Sequence, residues 1–301
     1  MVDQLGRLES VDPRETWPSE TADFTPSSLR LAQGSTAPLT TPTSRLHALD
    51  ALRGILALVV VFHHVGLLSG CPRLQWAADF AVEAFFVMSG YVLKLSYDGR
   101  PFAFLLKRIV RLWPVYAVCI VAGYALRGRL PPLSELAWWP IFFYGHDPIV
   151  DLPAWSLFAE VWVAPLMPAM FWFAARGRVV ALLVAAAYFF LIVVDRRLFP
   201  IGFFGVGIAL ANFNPGLPQR LPAWTLWLGR ISYSLYLSHW IILNSLALAL
   251  GKIGIMLAVP MVLPVAWLLW RTVEQPSIRW SRIAGALPDI VLTRLVPSFR
   301  D

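Results

Sequence analysis

Charge is what this sequence has least of. Only 14% of its 301 residues are Asp, Glu, Lys or Arg, against about 25% in soluble domains, so the chain lacks the polar surface to cover itself in water. Cysteine is scarce too. Cys71 and Cys119 are the two present, and Cys119 lies inside the apolar run Val115–Ala125, so neither a disulfide framework nor a zinc-ligand spacing can be built from them. The opening residues are polar, and no cleavable signal peptide is visible among them. No internal repeat is visible. The net charge of +7 would suit nucleic acid in a polar chain; in one this apolar it fits positive-inside loops and an anionic cytosolic ligand.

What is present is apolar and aromatic. Hydrophobic residues make up 58% of the chain, mean hydropathy is +0.63, and there are 14 Trp and 24 Pro, which suit membrane spans with aromatic belts and broken helices. Residues 1–44 are rich in Ser, Thr, Pro and acidic residues and read as a disordered cytosolic tail. Apolar runs follow from residue 45: Ala51–Leu68, Trp76–Leu95, Ile109–Leu126, Trp155–Ala175, Val179–Val194, Trp224–Leu250 and Ile253–Trp270, with Ile201–Phe213 marginal against the roughly 20 residues a spanning helix needs. Leu136–Gly145 is short and carries a proline, as a re-entrant or interfacial piece would. Basic residues in Lys94–Arg111 and beyond Trp270 place both regions in the cytosol. The expected fold is therefore all-α, a polytopic transmembrane helix bundle. Eight spans are favoured over ten, both termini are cytosolic, the membrane domain covers 45–282, and 283–301 form a cytosolic C-terminal tail.

Several constellations bear chemistry. In LDALRGILALVVVFHH, Asp50 and Arg53 stand at the mouth of the first span and His63 and His64 lie inside it, ~16 Å further along a helix; an ionisable residue at that depth suggests function. Glu160 is the one acidic residue inside the run Pro153–Pro168, with Ser156 a turn earlier on the same face. A buried carboxylate needs a partner. An intramembrane imidazole is one candidate, and the pair would then form an oriented general base; a structural ion pair with Arg53 or Arg111 is the other. Lys107, Arg108 and Arg111 cluster before a span, either as topogenic charge or as a phosphate cradle. Glu83 enters an aromatic span ending in Ser89–Gly90, a pair that permits close packing. The stretches LGRISYSLYLSHW, with His239, and RTVEQPSIR read individually as packing.

In this order, the segments resemble the membrane-bound acyltransferase-3 family over about residues 45–282. The family's acidic-x-x-Arg-Gly element and its histidine ten residues on match Asp50, Arg53 and His64. Its Phe-Phe-x-x-Ser-Gly matches Phe85, Phe86, Ser89 and Gly90, and its basic cluster matches Lys107, Arg108 and Arg111. Trp-Ser-Leu-x-x-Glu matches Trp155, Ser156, Leu157 and Glu160. The late Ile-Ser-Tyr-Ser-Leu-Tyr-Leu-x-His-Trp matches Ile231 to Trp240, and Val-Glu-x-Pro matches Val273, Glu274 and Pro276. The interval between Glu160 and Leu228 is short for the family, and residue 275 is Gln where a basic residue is common.

The resemblance implies an O-acyltransferase of the inner (plasma) membrane. It would move an acyl group, usually acetyl, from acyl-CoA to a hydroxyl of a sugar or glycoconjugate. His64 is then the expected catalytic base and Glu160 its orienter, with CoA phosphates held by Arg53, Lys107, Arg108 and Arg111. Asp50, His63, Glu83, Trp155, Ser156 and His239 support the site or the substrate. No metal and no tightly bound cofactor is expected. The partners are acyl-CoA, a carbohydrate or glycosylated acceptor and membrane lipid, with a homo-oligomer allowed and no nucleic acid. The rival readings are a transporter or lipid-handling protein, whose symmetric halves are not seen, and an inactive shortened homologue.

Overall fold

A computed structural model describes residues 42–71, 73–130, 133, 152–194, 199–213 and 221–295. The segment Leu136–Gly145 and nearly all of the expected N-terminal tail lie outside them. The described residues are helical with short turns: α1 (Pro42–Leu68), α2 (Gln75–Ser96), α3 (Pro101–Ala125), α4 (Ala154–Val163), α5 (Met167–Ala174), α6 (Arg178–Val194), α7 (Phe199–Leu210), α8 (Ala223–Leu269) and α9 (Gln275–Leu295). In hydrocarbon each backbone N–H and C=O needs an internal partner, which a continuous helix supplies. Pro101 opens α3 where its missing N–H costs nothing. Helix α9 carries the chain through Leu295, past the expected boundary at residue 282.

Helix α8 is two helices. Gly251 has φ 61° and ψ −136°, a left-handed backbone that glycine tolerates and that breaks the ladder. Ser234 nevertheless hydrogen-bonds Glu274; a straight helix would hold residues this far apart in sequence ~60 Å from each other, so the two limbs fold back on one another. Leu228, Ile231 and Leu235 of the first limb share a core with Ala258, Val262 and Ala266 of the second. A π-helical turn, Trp270–Glu274, joins the second limb to α9.

Glycine sets the closest approaches. A Cβ on Gly54 would lie 2.6 Å from Gly229 N, and one on Gly229 would lie 2.2 Å from Asp50 O. Ten residues further along both helices His64 meets His239, so α1 and the first limb of α8 run parallel and in register. On the other side a Cβ on Gly90 would lie 2.3 Å from Phe204 O, and one on Gly207 1.9 Å from Val87 O. These pairings make α2 and α7 antiparallel at backbone contact, the small-residue packing that holds membrane helices together. Gly207→Ala must therefore push α7 off α2. Overpacking costs about 1–3 kcal/mol even in forgiving cores, and here the obstacle is backbone. The expected result is loss of the monodisperse peak in detergent size-exclusion chromatography; an unchanged peak would mean that α7 and α2 do not meet at Gly207.

Large apolar side chains cover the outside as well as the inside: Trp76, Phe80, Phe102, Trp224 and Met256 are exposed. Such a surface requires lipid, and the protein is a helical membrane protein. Among the described residues, four helices are long and apolar enough to span: His47–Leu68, Gln75–Ser96, Ala154–Ala174 and the bent Ala223–Ala286. Arg178–Ala187 and Phe199–Leu210 are shorter, and α3 carries Lys107, Arg108 and Arg111 on its first turns. The expected total of eight is not carried by these helices alone.

Candidate functional site

Two cavities share one wall. The larger, about 450 Å³, is bounded by α2, α3, α4, the first limb of α8 and α9. At one end stand Arg53, Asp98, Lys107, Arg111 and Arg282; Phe85, Ser156 and Tyr236 also line it. The smaller, about 350 Å³, shares Arg53, Arg111 and Arg282 with it and adds Arg230, Arg279, Asp50 and Glu274. Glu274 is buried and committed: its Oε2 accepts from Ser234 N at 3.2 Å and Ser234 Oγ at 2.6 Å. The smaller cavity therefore has five arginines against two carboxylates, one of which, Asp50, pairs with Arg53 at 3.2 Å.

Glu160 lines the larger cavity, and its partner is an arginine. Arg108 donates to Glu160 Oε1, and Ser89 Oγ donates to the same oxygen at 3.3 Å. The expected Glu160–His64 dyad does not form. α4 and α3 face one another across the cavity, and the nearest buried cation is the Arg108 guanidinium. Arg108, which also lines the larger cavity, thus spends one guanidinium nitrogen on Glu160. Lys107 is engaged as well, donating to Asp98 Oδ2 at 3.1 Å. Hydrogen bonds from Arg100, joined by those of Lys107, hold the Asp98 carboxyl well below the usual carboxylate range, so Lys107 faces a standing negative charge. All four residues expected to grip phosphate line the larger cavity: Arg53, Lys107 and Arg108 each face a carboxylate, and Arg53 and Arg111 also line the smaller, arginine-rich cavity.

The histidines form a separate cluster. His64 Nδ1 lies 2.9 Å from His239 Nε2, both rings are buried, and His239 Nδ1 lies 3.1 Å from Leu235 O. The His63 ring lies tilted against His64 with centroids 5.0 Å apart, and its buried Nδ1 has no hydrogen-bond partner. Trp240 meets His64 edge-on. Neither His64 nor His239 lines the two cavities. Tyr236 connects cluster and cavity: it lines the larger cavity, its hydroxyl is 2.8 Å from Ser156 Oγ, and its ring packs on Phe85 and on His239. Of the remaining expected residues, Trp155 packs on Phe86 and Phe199, and Glu83 lines neither cavity.

A family model described as an acyltransferase domain matches residues 46–199, just over half of the chain. The chain belongs to the acyltransferase-3 family. The matched stretch holds Arg53, His64, Lys107, Arg108, Arg111 and Glu160, so the family's defining portion contains both the histidine helix and the Arg108–Glu160 pair. A curated relative, "Protein 2 in picA locus" of Rhizobium radiobacter, is 34% identical over 108 residues, 32% of this chain and 56% of the relative. The match thus spans little more than half of that relative's length. No solved structure matches.

Sequence reasoning missed three cavity residues, Arg230, Arg279 and Arg282, taking the last two as topogenic charge. The signal was there: Glu274, Ile278 and Arg282 recur every four residues and so share one face of a helix. That face closes the smaller cavity.

Proposed function

We propose that the protein is an O-acyltransferase of the inner membrane that takes an acyl group, acetyl in the simplest case, from acyl-CoA and places it on a hydroxyl of a sugar or glycoconjugate. The observation that carries this reading is the larger cavity, arginine-lined at one end and closed by Tyr236 against His239, the partner of His64. The anionic end of the donor belongs at Arg53, Arg111, Arg230, Arg279 and Arg282, since guanidinium groups match phosphate geometry bidentately. The arm carrying the thioester then follows the cavity between α2 and α4 toward Tyr236. Arg53 and His64 stand ~16 Å apart along α1, which sets the length this arm must bridge. The same arginines favour a cytosolic position for that end of the bundle.

In this reading His64 is the general base. Its imidazole takes the proton of the acceptor hydroxyl as the oxygen attacks the thioester carbonyl carbon. The new C–O bond forms, the C–S bond breaks, and the departing thiolate takes the proton back from the imidazolium. Ester for thioester is not uphill, so positioning and proton transfer supply the acceleration. Tyr236 and Phe85 must shift for the reacting atoms to reach His64. Glu160 has a different task, neutralising Arg108 beside the arm.

The donor site is tested at residues remote from the histidines. Arg279→Ala combined with Arg282→Ala is expected to raise KM for acetyl-CoA about tenfold, ~1.4 kcal/mol for the two contacts together, while kcat stays within about twofold. The effect shrinks as salt is raised, because exposed charges are screened. Steady-state CoA release by purified protein with cell-envelope glycans as acceptor reads both constants; an unchanged KM would remove the phosphates from this cavity.

A further inference from the structure

His64 and His239 are two buried imidazoles sharing one hydrogen bond, and the third member of the chain settles which way it runs. Leu235 O can only accept, so His239 Nδ1 carries the proton in that 3.1 Å bond. A neutral imidazole with Nδ1 protonated has Nε2 as an acceptor. His239 Nε2 faces His64 Nδ1 at 2.9 Å, so His64 Nδ1 is the donor in that bond; the ring also has the Val60 carbonyl, one turn back on α1, as a second acceptor. His64 Nε2 is then left without a proton, its lone pair free. A histidine is held in one tautomer by the bond its other nitrogen makes.

We infer that His239 is a positioning residue for acyl transfer: through the order Leu235 O, His239, His64 it fixes the tautomer in which His64 Nε2 is the basic nitrogen. The inference rests on His64 being the general base; the tautomer itself does not. The device also explains why a second histidine sits wholly buried on α8, one turn past Leu235, in register with His64 on the parallel helix α1. A carboxylate in its place would bring a net charge into the bundle centre, which is costly. A neutral imidazole orients its partner without one. When His64 accepts the substrate proton, the positive charge forms against the lone pair of His239 Nε2, which stabilises the imidazolium through the same bond.

The chain has five histidines, few enough to resolve by nitrogen NMR of the full-length protein labelled with 15N-histidine in detergent, His64→Asn and His239→Asn identifying the two signals. The expected spectrum has both His64 and His239 protonated at Nδ1 and bare at Nε2. A His64 protonated at Nε2 overturns the proposal whether or not any acceptor has been found. Kinetics supply the second arm. Asn places its amide near the Nδ1 position and cannot reach His64, whereas Gln reaches the Nε2 position and can accept there. His239→Asn should lower kcat about 10²-fold or more, within the range that general-base catalysis contributes, with KM for acetyl-CoA within about twofold. His239→Gln should restore at least a tenth of the wild-type kcat. Equal losses in Asn and Gln variants, or no loss in either, would reduce His239 to packing. If wild-type protein released no CoA with any acceptor, the acyltransferase reading would fall while the tautomer measurement still decided the geometry.

Discussion

Replacing His64 by Ala should abolish acyl transfer, and replacing His63 by Ala should leave it within about tenfold of wild type. Neighbouring residues on a helix point about 100° apart, so one ring at most can face the reacting atoms correctly. His64 is the ring with a built environment: a hydrogen bond to His239, an edge contact with Trp240, and ten residues separating it from Arg53. His63 is buried with Nδ1 unpartnered, so its removal breaks no hydrogen bond. The expected loss for His64→Ala is about 10²–10⁴-fold, the worth of a positioned general base. Removing His64 also strips His239 Nε2 of its donor, at about 1–3 kcal/mol for a buried polar group left unsatisfied. Thermal unfolding must therefore accompany the assay. CoA release from detergent-purified protein, compared only between variants still folded at the assay temperature, separates lost chemistry from lost structure. Activity lost in His63→Ala and kept in His64→Ala would move the base one residue and undo the match of Arg53 and His64 to the family pattern.

The parts of this molecule legible in the sequence are those written locally. Apolar length announced helices, and the small Gly90 marked a close packing that the structure realises against Phe204. Partnerships between helices were legible only as needs. A carboxylate inside an apolar run required a cation or an imidazole, and the sequence offered several. Which one it meets depends on the rotation of α3 about its axis, and nothing in the linear order of Arg108 and Arg111 fixes that rotation. From its own segment His239 read as packing, and only the resemblance made it a supporting residue, because its partner is set by the parallel register of α1 with α8, Gly54 against Gly229. The break at Gly251 was half legible: the apolar runs Trp224–Leu250 and Ile253–Trp270 part there, but the fold-back of the two limbs depends on the backbone conformation of the glycine.

The Arg108–Glu160 pair should behave as a buried ion pair. Arg108 is 8% exposed and Glu160 23%, and Arg108 Nε is already without a partner, so the guanidinium has little to fall back on. Glu160→Leu should cost about 3–5 kcal/mol, because a buried charge is left uncompensated, and lower the unfolding temperature of the purified protein by several degrees. Arg108→Met should be harmful for the converse reason, the carboxylate facing only the Ser89 hydroxyl. The double variant should be more stable than Glu160→Leu, since replacing both ions with apolar groups of similar size is often neutral or better. This non-additivity separates two roles for Glu160. A carboxylate that stabilises by neutralising Arg108 becomes dispensable for folding once Arg108 is gone. A carboxylate that orients a histidine would lower kcat whatever stood at position 108, while leaving stability nearly untouched. Recovery of unfolding temperature in the double variant, with Glu160→Leu the least stable of the three, is the expected outcome. No recovery, with kcat lost equally in both Glu160 variants, would return Glu160 to the histidine site and require α4 to move toward α1 during turnover.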